Sequence, residues 1–336
     1  MKNKVLSVII PMYNSVSYID KCLQSFVMDA GYMDQIEVIV VNDGSQDGCD
    51  QIVKDYIEQY PDTFKMISQE NGGHGAAVDA GINMCSGQYF KVVDADDWVL
   101  TDNIPQYIDT IKLIDSVDLV VSGYQQYDIR NGEYRTIGEN TSEDIVYFTM
   151  KELMAGWNVY RNIFTIHGIT YRTRFYRIHS VFLPHKVSYD DMIYITVAAS
   201  MAATVCILNQ KLYVYRIGDV EQSVSNGSRV KKIAHMENVI TELCKTEKYQ
   251  RSEFGQAYWN YKVRSTISDF MITTFLRFPD KKEGRIVAKR MKRMLKQKYP
   301  NVEKLVSKRY WLLWLFSVLG MNEQQMQKMM TLRARR

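Results

Sequence analysis

Val5-Leu6-Ser7-Val8-Ile9-Ile10-Pro11 is a short, β-branched, almost wholly apolar run closed by a proline. A half-exposed strand alternates apolar and polar residues, so a run of this kind suits a strand buried on both faces of a sheet. Ile19, Cys22, Leu23 and Phe26 follow at helical spacing, and then the pattern starts again. Residues 36–41 (IEVIVV) read as a second buried strand, and Ile52, Val53, Tyr56 and Ile57 mark a helix after Asp47. A third unit passes from a strand at 64–68 through Asn71-Gly72-Gly73 into a helix at 76–84, and a fourth strand at 89–93 runs up to Asp94. Strands alternating with helices across short connections imply parallel pairing and right-handed crossovers. The fold class expected is therefore α/β, a doubly wound, mostly parallel sheet. Ligands of such sheets bind beyond the carboxyl ends of the strands. Those ends carry Tyr13 and Asn14, then Asn42 and Asp43, then Asp94, Asp96 and Asp97.

Beyond Trp98 the alternation weakens. Residues 119–122 and 124–128 still read as strands around Gly123, 130–140 as a polar turn region, 151–154 and 191–203 as helices, and 205–208 and 212–216 as strands. From 230 to 299 long helical stretches carry no strand signal. Asn226-Gly227-Ser228 is the linker candidate, dividing an α/β region, 1–226, from a helical, basic C-terminal region, 227–336.

Composition bounds the function. With 46% hydrophobic residues in 336 the chain can bury a large core, and 24% charged residues without low-complexity stretches argues against extended disorder. Five scattered cysteines, none spaced as CxxC, suggest neither a disulfide framework nor a zinc cluster. The N-terminus has no apolar segment beyond the first strand, so neither a signal peptide nor an amino-terminal span is expected, and a cytoplasmic location follows. From Lys281 onward there are 16 Lys and Arg against three Glu, a net of +13, so the overall +4 hides a net of −9 in residues 1–280.

Four short constellations carry chemistry. In Asp94-Ala95-Asp96-Asp97 three carboxylates within four residues repel one another at a strand end, and a hard divalent cation, Mn²⁺ or Mg²⁺, is the usual remedy. Such an ion bridges the phosphates of a nucleotide diphosphate; a solvated acidic turn is the plainer alternative. In Asn42-Asp43-Gly44-Ser45-Gln46-Asp47, Ser45 and Asp47 suit a helix cap, whereas Asp43 suits acceptance of hydrogen bonds from a base or ribose. Asn71-Gly72-Gly73-His74-Gly75 is either a phosphate approach or plain turn chemistry. No GxGxxG follows the first strand and no GxxxxGK[ST] occurs, which excludes the strongest dinucleotide and P-loop signals. Asp190-Asp191 opens a helix, where one carboxylate can cap and one can take a proton from an attacking hydroxyl.

Together these motifs, in their order along residues 5–225, resemble the family 2 glycosyltransferases of GT-A fold. Val8-Ile9-Ile10-Pro11-Met12-Tyr13-Asn14 looks like that family's first strand and nucleotide-base loop, which implies donor contacts from Pro11, Tyr13 and Asn14. Asn42-Asp43-Gly44-Ser45 is similar to its second nucleotide-contacting turn, with Asp43 toward the base, and Asn71-Gly72-Gly73 with Ala76-Ala77 is similar to its glycine-rich unit, bringing in Gly73. Asp94-Ala95-Asp96 stands where the family has its DxD signature, which implies Asp96 as direct metal ligand and Asp94 shared between ion and ribose. Tyr189-Asp190-Asp191-Met192 looks like the acidic pair whose second member is the base, hence Asp191. Tyr213-Val214-Tyr215-Arg216 and Ser223-Val224-Ser225 resemble the strand and loop that close over the diphosphate. Trp98, His185, Asp190, Tyr215 and Arg216 join as candidate acceptor or diphosphate contacts.

The resemblance implies an inverting transfer of a sugar from a nucleotide-sugar donor, UDP-linked by family habit, to a hydroxyl of a glycan, lipid-linked or protein-linked acceptor in polysaccharide or glycoconjugate synthesis. Two departures stand out: Val78-Asp79 replaces the usual arginine and asparagine, and the pair is Asp-Asp where Glu-Asp is common. A sugar-1-phosphate nucleotidyltransferase, or a non-catalytic scaffold of a glycan assembly, is the alternative. His74, His167, His179 and His185 are not spaced as a metal set; His185, six residues before Asp191, suits an acceptor or diphosphate contact or, more plainly, a surface or packing role. The aromatic and basic segment 157–177 suits sugar stacking or helix packing equally. In the tail, basic residues interleaved with apolar ones at 285–298 precede a ten-residue apolar run, 310–319, too short to span a bilayer. Peripheral contact with the anionic inner face of the cell membrane, or homo-oligomer packing, is expected there, and no nucleic-acid motif accompanies the charge.

Overall fold

The computed structural model describes residues 4–114, 116–138, 145–219 and 226–334, with side chains to 329. It divides into two compact units, residues 1–219 with 251–255, and residues 220–250 with 256–336. Ser223-Val224-Ser225 lies outside the described residues.

The first unit is built on an eight-stranded sheet. Its strands are β1 (Leu6–Met12), β2 (Ile36–Asn42), β3 (Phe64–Ser68), β4 (Tyr89–Val92), β6 (Leu119–Ser122), β9 (Ile145–Thr149), β10 (Ile169–Arg172) and β11 (Thr204–Leu208). They lie in the order β3-β2-β1-β4-β10-β6-β11-β9. The pairs β3-β2, β2-β1, β1-β4 and β6-β11 are parallel, and β10 and β9 run against their neighbours. The fold is thus the expected doubly wound, mostly parallel α/β sheet. β1 and β2 are buried along their whole length, which is why neither alternates. The helix His74–Met84 lies close over β1 because Ala77 and Gly81 are small; a Cβ on Gly81 would collide with Ile9. A second sheet, β5 (Trp98–Val99), β7 (Tyr124–Asp128), β8 (Glu133–Ile137) and β12 (Tyr213–Ile217), has the order β5-β12-β7-β8 and grows directly out of the turn that follows β4.

Several sequence expectations are corrected here. The supposed turn at 130–140 contains β8, an exposed strand paired, among the described residues, with β7 alone, whose charged residues Glu133 and Arg135 disguise it and also suit an edge. β9 and β10 were not foreseen. β10 is four residues long and sits antiparallel in the middle of the sheet, where register and not pattern defines it. The helix expected at 191–203 is only Asp191–Tyr194, followed by turns and a 3₁₀ turn at Ala199–Met201; the β-branched run Ile193, Ile195, Thr196, Val197 disfavours a longer one.

The second unit is helical: Asn226–Lys231, Ile233–Lys245, Glu253–Ile272 except its first turn, Lys281–Lys298, Pro300–Val318 and Glu323–Ala334. Its core includes Val239, Ile240, Trp259, Val263, Ile267, Leu295, Val302 and Leu313. Gly284 lets Lys281–Lys298 cross the carbonyl of Thr274 where any side chain would collide.

Candidate active site

Three carboxyl ends of β1, β2 and β4, and the segment 183–191, converge. At β2, Asp43 is 2% exposed. Its Oδ1 accepts hydrogen bonds from Gln69 Nε2 and the Gly72 amide, and its Oδ2 from the Gly73 amide, all at 2.8 Å. Asp43 thereby folds the glycine turn onto the strand end. The glycines then allow close approach: Gly73, at φ +86°, has the backbone of Lys186 where its Cβ would stand, and Gly75 has Leu183 and Asp190 there. The Lys186 amide donates to the Gly72 carbonyl at 2.6 Å. Turn chemistry, rather than a free phosphate cradle, accounts for this motif.

At β1, Pro11 is buried within the strand, Tyr13 is 53% exposed, and Asn14 adopts φ +48°. Asn14 and Asp47 stitch the two loops together: the Asn14 amide donates to Ser45 Oγ, the Gln46 amide to Asn14 Oδ1, and the Val16 amide to Asp47 Oδ2.

At β4 the carboxylates diverge in environment. Ala95 is buried. Asp97 is 1% exposed and accepts from the Tyr213 hydroxyl at 2.5 Å and the Arg216 amide at 2.7 Å, clamping β12 to the turn. Burial, then the neighbouring Asp96 and Asp94, hold its carboxyl well above the usual range. Asp96 opens toward solvent, with Arg216 Nη1 4.0 Å from its Oδ2; burial and the Asp94 charge push it up to about 6. Asp94 is also pushed up by burial, but the hydrogen bond and charge of His74 prevail and leave it below its ordinary value.

His74, which stands in no metal-ligand spacing with the other histidines, joins the two acidic motifs. Its Nδ1 lies 2.7 Å from Asp190 Oδ2 and its Nε2 3.2 Å from Asp94 Oδ1. Burial lowers its basicity, yet the two carboxylates outweigh this and hold the imidazole well above its usual pKa. Asp190, 3% exposed, makes no helix cap; it serves His74 instead. Asp191, next to it, is half-buried and pushed up to about 6 by burial and then by Asp190. Lys186 (φ +54°) and Tyr189 (φ +70°) are left-handed non-glycine residues on either side of the turn into this pair, and strained backbone of this kind collects at functional sites. Asp79, the departure from the family pattern, accepts the Leu183 amide at 2.8 Å and so anchors the same segment.

His167 is the second histidine recovered. Ligand atoms of Asp94, Asp97 and His167 lie within 4.8 Å of one another. Its ring stacks on Tyr215 at 4.1 Å and abuts Tyr213, its buried Nδ1 has no hydrogen-bond partner among the described residues, and burial pulls its pKa down to about 4. Lys91, fully buried in β4, donates to the His167 carbonyl at 2.5 Å and secures the loop. Tyr215 thus serves His167, and Arg216 sits over Tyr18 with its guanidinium near both Asp96 and Asp219.

Two further expected contacts differ in exposure. Trp98 is 7% exposed, roofed by the Lys21 ammonium 3.2 Å from its ring centroid and edge-on to Tyr127, so it offers almost no surface to an acceptor. His185 is exposed, and it is His74 that stands between the acidic groups.

Comparison with known proteins places this geometry. The model of "Glycosyl transferase family 2" matches residues 7–174. Putative glycosyltransferase EpsH of Bacillus subtilis is 34% identical over 145 residues, which cover 43% of this chain and 39% of EpsH. Glycosyltransferase GlyA of Streptococcus pneumoniae is 36% identical over 132 residues, 38% of this chain and 18% of GlyA. Glycosyltransferase GlyG of the same organism is 26% identical over 221 residues, 64% and 71% of the two chains. The match therefore spans well under half the length of EpsH and GlyA. Among solved structures, residues 1–349 of S. aureus TarS in complex with UDP-GlcNAc share the fold with a TM-score of 0.60 at 18% identity, covering 94% of this chain and 92% of that one.

Proposed function

The chain belongs to glycosyl transferase family 2, and on that premise we propose that it is an inverting glycosyltransferase that moves a sugar from a nucleotide diphosphate to an acceptor hydroxyl. The observation that carries this reading is the His74 bridge, which sets the Asp190-Asp191 pair beside Asp94 and leaves Asp191 and Asp96 as the open carboxylates.

Asp191 is the general base. With its carboxyl at about 6 it is ionised at neutral pH yet still basic enough to receive a proton from a hydroxyl that is attacking the anomeric carbon. His74 is a positioning residue: it neutralises Asp190 and keeps Asp191 directed to the acceptor. The donor's nucleoside lies along the stitched loops, with Tyr13 available for stacking, Asn14 and Asp47 shaping the wall, and Asp43 supporting it from below through the glycine turn. Arg216 faces the diphosphate.

The donor set at β4 fits a hard divalent cation, because Asp96, raised by burial and then by the Asp94 charge, stands open beside Asp94, and a cation would relieve that repulsion. Asp96 and Asp94 would hold Mn²⁺ or Mg²⁺, which stabilises negative charge on a departing nucleoside diphosphate. A UDP-sugar is the donor we favour, supported by the fold shared with TarS, a protein solved with UDP-GlcNAc. The acceptor is a glycan, lipid-linked or protein-linked, of a surface polysaccharide or glycoconjugate. The basic C-terminal region supports peripheral residence on an anionic membrane, and no helix among the described residues is long and apolar enough to cross one.

Calorimetry with UDP-, GDP- and dTDP-sugars, with and without Mn²⁺, tests the reading. Metal-dependent binding of one donor class with slow donor hydrolysis is expected; equal binding and turnover in chelator removes the role of Asp94 and Asp96, and no binding of any donor removes the function.

A further inference from the structure

The helix Pro300–Val318 is apolar on both sides over its second half. Val302, Val306, Tyr310, Leu313 and Phe316 face the core of the helical unit. On the opposite side Trp311 is 56%, Leu312 47%, Leu315 46% and Val318 51% exposed, with Trp314 and Leu319 beside them. A helix hydrophobic all round is ordinarily buried all round, and this one is not. Spacings of three, four and seven residues put 311, 315 and 318 on one stripe, and the same stripe carries the exposed Lys304 and Lys308 in the turns before it.

We propose that this outward stripe is a bilayer-docking face, in which Trp311, Leu312, Leu315 and Val318 enter the interface of an anionic membrane while Lys304 and Lys308 meet its headgroups. The proposal rests on the peripheral residence given above and names the surface that produces it. Length excludes the alternative of insertion: 19 residues include too short an apolar run to span. Charge argues against a second copy of the chain. The region from Lys281 onward carries 16 basic residues against three acidic ones, and a two-fold interface would set like charge against like. Anionic lipid supplies the missing sign, and tryptophan beside lysine suits the headgroup boundary.

The tryptophans make the test specific. Trp98, Trp157 and Trp259 are 7%, 6% and 1% exposed, so Trp311 and Trp314 dominate any change in emission on contact with lipid. The full chain is mixed with vesicles of phosphatidylcholine alone, of phosphatidylcholine with phosphatidylglycerol, and of the latter with brominated acyl chains. Binding to the anionic vesicles, a blue shift, quenching by bromine and weakening by salt are expected, with Trp311→Ser/Leu315→Ser lowering the affinity roughly ten-fold or more. Absence of binding to anionic vesicles, or binding without bromine quenching, overturns the proposal. Self-association that the same double variant abolishes overturns it in favour of a second copy. Donor calorimetry on parent and variant in solution reads the transferase function separately, since no residue of this stripe belongs to the carboxylate cluster.

Discussion

Asp43 and Asp96 both leave parallel strands at the same edge of one sheet, yet the protein treats them oppositely. Asp43 is given three hydrogen-bond donors from the turn it organises. Asp96 is given only a guanidinium at 4.0 Å, and burial and then the charge of Asp94 outweigh it and push its carboxyl up to about 6. A carboxylate whose lone pairs the chain itself satisfies is architecture. A carboxylate that the chain raises and leaves open is waiting for a cation, a proton or a substrate. Asp190 and Asp191 repeat the contrast one residue apart, the first buried against His74 and the second open.

The sharpest way to break this division is Asp191→Asn. Turnover should fall by about 10³-fold, within the range for loss of a general base, while donor affinity by calorimetry stays within about two-fold; unchanged turnover would remove Asp191 as base. His74→Ala should act in the same direction more weakly, lowering kcat more than donor affinity. Asp43→Ala should do the reverse. It strands the Gly72 and Gly73 amides and costs about 2–4 kcal/mol in urea unfolding, so a stable variant with selectively lost donor binding would make Asp43 a ligand after all.

The smallest effect concerns Asp79, which burial pushes up to about 7 from 3.8. Between those values the folded state holds a proton that the unfolded state releases, so this group's contribution to stability declines as pH rises from about 4 to about 7. Asp79→Asn keeps an acceptor for the Leu183 amide without the charge. The stability of the variant relative to the parent should rise between pH 5 and pH 8, by roughly 1–3 kcal/mol; a relative stability that falls over that interval would show the sign to be wrong.

Much of the site was legible because its carboxylates stand at ends of strands that announce themselves by pattern. β1, β2 and β4 are buried on both faces, so a strand end predicts where a side chain emerges. His74 and His167 were not legible. His74 follows the Gly-Gly turn directly, and that position at a helix start facing two strand ends was a usable signal; spacing to other histidines was the wrong measure. His167 precedes β10, a strand of four residues too short for its pattern to declare it, and only its insertion between β4 and β6 brings the ring to Asp94. Trp98, expected as an acceptor or diphosphate contact, is covered by Lys21 from a helix distant in sequence, which no local pattern announces.

Taken alone, the sequence determined the α/β alternation, the direction of the strands, the edge at which ligands bind and the family, since these depend on local periodicity and on the order of short motifs. Only the tertiary structure decided which carboxylates are satisfied and which are left open. That distinction depends on donors supplied from 26 to 30 residues away for Asp43 and 116 residues away for His74 and Asp190. The hydrogen bonds and the burial that tune a carboxylate belong to the neighbours that folding brings to it, and no window of sequence contains them.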